Sequence, residues 1–375
     1  MGSILEYTAT SRCAWARGGA WAGALLVAGL LTGCADMGYY LQSVGGHLQL
    51  MQAARPVPQW LADEEVSPVL KERLALAQRM RQFAVSRLGL PDNASYKGYA
   101  DLQRRSVVWN VVAAPELSLT LKTWCFAVTG CVGYRGYFSE SEARAQAAHL
   151  KAQGLEVSVY GVPAYSTLGW MNWAGGDPLL NTFIHYPEGE LARMIFHELA
   201  HQILYVKDDT LFNESFATAV ERLGGERWLA EQGSQAARRD YAELDARRRQ
   251  FRSLCLATRQ RLAHIYKQNE LQALDTPTTL AMKNEAMQVF RDDYAKLRAS
   301  WNGYAGYDIW VAGANNAALG AQAAYDELVP AFEALFVREG RDWPRFYDVV
   351  RQLANQPAVQ RTEALQKIRM ERTSG

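Results

Sequence analysis

The apolar segments Met194-Ile-Phe196 and Ile203-Leu-Tyr-Val206 enclose three ionisable residues, in the run His197-Glu198-Leu199-Ala200-His201. Such flanks predict a buried helix, here over 191–207, and polar groups buried without partners are costly. The four-residue spacing puts His197 and His201 on one helix face. Two neutral imidazoles there supply half of a tetrahedral zinc site, with Zn–N bonds of about 2.0–2.1 Å. Glu198 stands between them and can take a proton from the water that such a site activates.

A polar loop, Lys207-Asp-Asp-Thr210, leads to Asn213-Glu214-Ser215-Phe216-Ala217. A second helix, expected over 213–223 and stopped by Gly224-Gly225, can fold back and bring Glu214 to the two imidazoles as third ligand. That leaves the fourth position open, as a catalytic zinc requires. Thr218 and Glu221 share a face with Glu214 and suit the task of orienting a ligand imidazole; an ordinary surface ion pair serves Glu221 equally well.

Helical spacing of apolar residues runs through 39–54 and 68–89, the second ending at Gly89-Leu-Pro91. The texture then changes. Ser106–Val112, Leu117–Leu121, Val132–Phe138 and Glu156–Gly161 read as strands. Between the last two, Ser139 and Glu142 form a capping box that opens a helix, with Gly154 at its far end. After residue 190 the chain is helical: 234–270 and 278–300 form a hairpin around Asp275-Thr-Pro277, and 316–354 close the fold. The expected class is α+β, a small mixed sheet followed by a larger helical part with the His197–His201 helix at the junction. The expected division is 34–190 for the first lobe and 191–375 for the second.

The first 33 residues read as a signal peptide. Arg12 and Arg17 precede an apolar run from Trp21, too brief to span a bilayer as a stable helix. It ends at Leu31-Thr32-Gly33-Cys34, which resembles a bacterial lipobox and implies a diacylglycerol on the Cys34 thiol. In lipoproteins of this kind an Asp directly after the Cys favours inner-membrane retention; here Ala35 holds that place, so the outer membrane, facing the periplasm, is expected. An oxidising periplasm suits a disulfide between Cys125 and Cys131, and Cys255 reads as a small core hydrophobe. With Lys+Arg 40 against Asp+Glu 39, no basic stripe invites nucleic acid.

The motif pair His197–His201 and Asn213–Ala217 resembles the gluzincin metallopeptidases, where a Glu in an Asn-Glu-x-Phe-Ala stretch completes the metal site. Glu221, seven residues after Glu214, matches many alanyl-aminopeptidase-like members. The chain resembles one group further, the bacterial putative aminopeptidase family of lipoproteins, in Gly38–Val44, Val108–Val112, Ala164–Trp170, Phe196–Gln202, Phe212–Thr218 and Asn315-Asn316-Ala317. The resemblance implies one Zn2+ per chain and a tyrosine or histidine at the oxyanion; Tyr304, Tyr307 and Tyr165 are the candidates. Two departures stand out. The interval from His201 to Glu214 is shorter than in the large alanyl aminopeptidases, and the chain lacks the Gly-x-Met-Glu-Asn strand whose Glu holds the substrate's free amine.

The expected activity is therefore zinc-dependent hydrolysis of short or unstructured peptides in the cell envelope, by an aminopeptidase. Its rivals are an envelope zinc endopeptidase and a scaffold lipoprotein that keeps a zinc fold. A peptide substrate would pair along the strand edge near Val157–Thr167. His47, His149, His185 and His264 lack ligand spacing and read as structural. Asn315-Asn316 suits either a helix cap or a cleft wall. Sequence leaves the oligomeric state open.

Overall fold

A computed structural model of the chain describes residues 38–126, 130–169, 172–322 and 327–373. The signal peptide and Cys34 lie outside the described residues. The described residues fall into two units, the first ending at Leu50 and the second beginning at Met51. The described part of the first is helical, in a helix α1 over 38–53. No helix among the described residues is long and apolar enough to cross a membrane.

The second unit is α+β with small sheets. It opens with β1 (Arg55–Pro56), α2 (Val57–Ala62) and α3 (Pro68–Leu88). Ser67 caps α3 by accepting from the Leu70 amide at 3.3 Å, and Gly89 ends it in the left-handed conformation, φ 64°, where the sequence places its end. The strands β2 (Gly98–Ala100), β3 (Val108–Pro115), β4 (Trp124–Phe126), β5 (Gly130–Val132) and β6 (Arg135–Tyr137) follow, then α4 (Glu140–Ala152), β7 (Leu155–Val162) and β8 (Leu179–Leu180).

Instead of the one mixed sheet expected, there are three small ones. The anticipated strands assemble into an antiparallel sheet of order β6-β3-β7. Mixed pairing occurs elsewhere, among the very short β1, β2 and β8, which carry too little alternation to read from sequence. The third sheet is the hairpin β4-β5, in which Cys125 and Cys131 face each other and form a disulfide. Leu117–Leu121 is not a strand. The chain turns there, with the Ser118 amide on the Pro115 carbonyl at 3.2 Å, and Leu117 and Leu119 pack onto a helical core instead.

The helical part comprises α5 (Glu188–Ala200), α6 (Thr210–Glu231), α7 (Gln235–Gln272), α8 (Thr276–Ser300), α9 (Asp308–Ala312), α10 (Asn316–Gln322), α11 (Val329–Arg338), α12 (Trp343–Ala354) and α13 (Ala358–Thr373). The α7–α8 hairpin encloses Phe251, Cys255, Leu262, Phe290 and Tyr294. Helices α4 and α10 both pack on β3 and β7, so β3 is buried at almost every position, as a strand covered on both faces must be.

Two boundaries near His197 differ from expectation. Helix α5 stops at Ala200 with His201 as its C-cap, well short of Lys207. Helix α6 runs straight through Gly224-Gly225. These glycines do not end the helix; they admit neighbours. A Cβ on Gly224 would stand 2.8 Å from Cδ1 of Leu88 and 3.0 Å from Cδ2 of Phe196, and one on Gly225 would stand 2.8 Å from Cγ of Arg193. The missing side chains let α5 and α3 press against α6.

Candidate active site

Helix α5 presents His197 and His201 from one face, and α6, packed along it, presents Glu214 to both. The Nε2 atoms of the two histidines are 3.1 Å apart. Oε2 of Glu214 lies 3.4 Å from Nε2 of His197 and 3.7 Å from Nε2 of His201. A tetrahedral ion with bonds of about 2.0–2.1 Å sets its ligands about 3.3–3.4 Å apart, and the three distances bracket that edge. Two imidazoles and a carboxylate are the donor set zinc accepts. Among the described residues, His197, His201 and Glu214 are the grouping of histidine, cysteine and carboxylate donors that could hold a metal ion.

The turn between the helices is held by side chains. Asp209 caps α6 by accepting from the Phe212 amide at 3.0 Å, and its other oxygen takes Nη2 of Arg361, from α13, at 2.6 Å. Arg361 is itself buried. The Cys131 amide donates to Asp208 in the same turn at 2.5 Å, so the disulfide hairpin rests on it.

The electrostatics follow from burial and opposite charge. Burial alone would raise the Glu214 pKa, but His201 and His197 outweigh it and hold the carboxyl well below its ordinary range. Burial would likewise lower the pKa of His197, yet Glu214 and Glu221 raise it. Glu198 goes the other way: burial pushes it up, against the two histidines. A base of raised pKa is a better proton acceptor.

Glu221 reaches the ligand set. Its Oε2 lies 2.9 Å from Nδ1 of His197, while its Oε1 accepts from Nη2 of Arg193. Thr218 is buried one turn after Glu214, but Glu221 is the residue that meets His197. The tyrosines divide. Tyr304 and Tyr307 belong to an aromatic cluster, Tyr307 stacked on Phe251 at 4.0 Å and Tyr304 under the Arg247 guanidinium at 4.4 Å. Tyr165 stands in the loop after β7 with its ring 5.2 Å from Phe138. Asn315 and Asn316 tie helix to sheet: Asn315 donates to the Val157 carbonyl at 3.1 Å, and buried Asn316 donates to the Glu116 carbonyl at 2.8 Å.

Several residues near Glu198 escaped sequence reading. Ser166 pulls the Glu198 pKa down against burial, and its hydroxyl donates to Asp177 at 3.5 Å. Asp177, 1% exposed, takes the Thr167 amide at 3.0 Å, and its pKa is pushed up to about 6 by burial. The Tyr96 hydroxyl is buried without a hydrogen-bond partner and feels the charges of Glu198 and Asp177. Gln202, the residue after His201, donates to Ser95 Oγ at 3.1 Å and accepts from Asn93 at 2.5 Å, which ties the end of α5 to the loop carrying Tyr96. No spacing announces these contacts, because they join loops distant in sequence. Glu221 was legible, on the helix face it shares with Glu214; Arg193, one turn before His197, carried the same signal but was missed.

Fold and site together define an α+β protein with a two-histidine, one-glutamate constellation buried between two packed helices. The chain belongs to the family described as Putative aminopeptidase, whose model matches residues 38–365. Neither a curated protein nor a solved structure matches the chain.

Proposed function

We propose that the protein is a zinc-dependent aminopeptidase of gluzincin type that cleaves short or unstructured peptides in the bacterial cell envelope. The observation that carries this reading is the triangle of donor distances among His197, His201 and Glu214, which fits a tetrahedral ion. The family supplies the peptidase class.

His197, His201 and Glu214 would hold the zinc, which when bound polarises a scissile carbonyl and acidifies water. Glu198, one residue from His197 and of raised pKa, takes the proton of the attacking water and returns it to the leaving amine. Strand β7 offers the substrate a backbone. It pairs with β3 on one side only, and the Asn315 contact shows the Val157 carbonyl pointing to the other. Backbone groups alternate along a strand, so Val159 and Gly161 turn their amides and carbonyls to the same side. An extended peptide can pair there, whereas a folded protein cannot.

The endopeptidase reading draws on the missing Gly-x-Met-Glu-Asn stretch. The envelope reading draws on the lipobox-like Leu31–Cys34 and on the Cys125–Cys131 disulfide. The experiment is to measure the metal content of the purified protein and its hydrolysis of paired free-amine and N-blocked peptides, before and after chelation. About one zinc per chain and faster cleavage of free-amine peptides are expected. Faster cleavage of blocked peptides would make it an endopeptidase, and no metal-dependent cleavage would leave a scaffold. Cys34→Ala should abolish lipid labelling.

A further inference from the structure

We infer that Arg193 is a positioning residue of the metal centre, setting the Glu221 carboxylate so that it orients the His197 imidazole. The inference rests on the metal reading above. Arg193 lies one turn before His197 on α5 and is 5% exposed. The two oxygens of Glu221 are divided between the two residues: Oε1 takes Nη2 of Arg193, and Oε2 stands 2.9 Å from Nδ1 of His197. A carboxylate held at one oxygen can turn about its last bond. Nδ1 makes no hydrogen bond among the described residues, but a carboxylate held 2.9 Å from it favours the Nδ1–H tautomer and leaves the lone pair on Nε2. Nε2 is the atom that faces His201 and Glu214.

The surroundings are shaped for this guanidinium. Gly225 leaves room for its stem, since a Cβ there would press on Cγ of Arg193 at 2.8 Å. The Tyr241 ring lies 5.9 Å from the guanidinium carbon. Glu190 and Asp245 flank Nη1 at 4.0 and 3.9 Å, and both are engaged by Arg248 of α7, at 2.5 and 3.4 Å. Among the described residues, the one hydrogen bond that Arg193 makes is to Glu221, with the Nη1 carboxylates adding charge at longer range. A buried ion pair serving stability alone would not need its carboxylate shared with a ligand imidazole.

The test uses the full chain and four variants: R193Q, R193K, E221Q and the R193Q/E221Q double variant. The readouts are zinc affinity by chelator competition and the visible spectrum of the cobalt(II)-loaded protein, which reports ligand geometry. R193Q and E221Q should each weaken zinc about 10–100-fold and shift the cobalt bands. The double variant should lose little more than either, because both break one connection. R193K should recover part of the affinity, since it keeps the charge but not the planar fork. Wild-type affinity and spectrum in R193Q, or losses that multiply in the double variant, would overturn the inference. Should R193Q fail to fold, G225A takes its place, pushing on the Arg193 stem with every charge intact: weaker zinc supports the inference, and wild-type affinity overturns it. His201→Ala is the control for the metal reading. If wild type binds no zinc, that reading and this inference fall together; if His201→Ala loses zinc and R193Q does not, only this inference falls.

Discussion

Asn213 spends its whole side-chain amide on one residue, donating to the Val206 carbonyl at 2.7 Å and accepting from the Val206 amide at 2.8 Å. The contact imitates a strand pairing and closes the turn between α5 and α6, so that Glu214, the next residue, arrives beside the histidines. Asn213→Ala should leave the Val206 amide without its partner, while the carbonyl keeps the Asp209 amide at 3.3 Å; an unsatisfied backbone group costs about 1–3 kcal/mol when buried. The expected loss of unfolding free energy is about 1–3 kcal/mol, measured by urea denaturation. A loss below about 0.5 kcal/mol, smaller than a single net hydrogen bond, would show that other contacts hold the turn.

Glu198→Gln keeps size and much of the hydrogen bonding but removes the base. Zinc content should stay at the wild-type level, and kcat should fall by about 10²–10⁴ with little change in KM. Single-substrate kinetics on the best peptide, with both proteins fully zinc-loaded, check it. Equal kcat values would remove Glu198 from the mechanism.

Asp177 makes stability depend on pH in an unusual direction. Burial pushes its pKa up to about 6 from an ordinary 3.8, with the Thr167 amide pulling the other way. The folded state thus binds this proton more tightly than the unfolded state does, and wild-type stability falls as pH rises from about 4 to about 6. Asp177→Asn keeps an acceptor for Thr167 and abolishes that loss. Above pH 6 it should be the more stable protein, by an amount on the order of 2–3 kcal/mol, and the gap should close near pH 4. Urea denaturation at pH 4 and pH 7.5 decides; a gap of the same size at both would mean burial is not the cause.

Gly224→Ala tests the reason for the glycines in α6. In an open helix the exchange stabilises by about 0.5–1 kcal/mol. Here the new methyl meets Leu88 and Phe196, both fully buried, so destabilisation of about 1–3 kcal/mol is expected from overpacking. A stabilised variant would mean that α5 and α3 can back away from α6.

The sequence by itself determined the elements with strong local signals and the donors with helical spacing. Gly89 ends α3 and Ser139 opens α4, because caps act within one turn. His197 and His201 share a face of α5 because four residues are close to one helical turn. Local signals also misled: Gly224-Gly225 looks like a stop, and Leu117–Leu121 alternates like a strand. Tertiary packing overrode both, since apolar contact with α3, α5 and the α7–α8 core outweighs a propensity worth about 1 kcal/mol. Only the tertiary structure shows α5 ending at Ala200, where Gln202 just beyond it is tied to Ser95 and Asn93 from a loop far along the chain. It alone decided that Glu221 meets His197 while Tyr304 and Tyr307 join an aromatic core. It alone brought Ser166, Asp177 and Tyr96 around Glu198. A helix repeats its own geometry and can be read along the chain, whereas a contact between two loops exists only once the elements that carry them have packed.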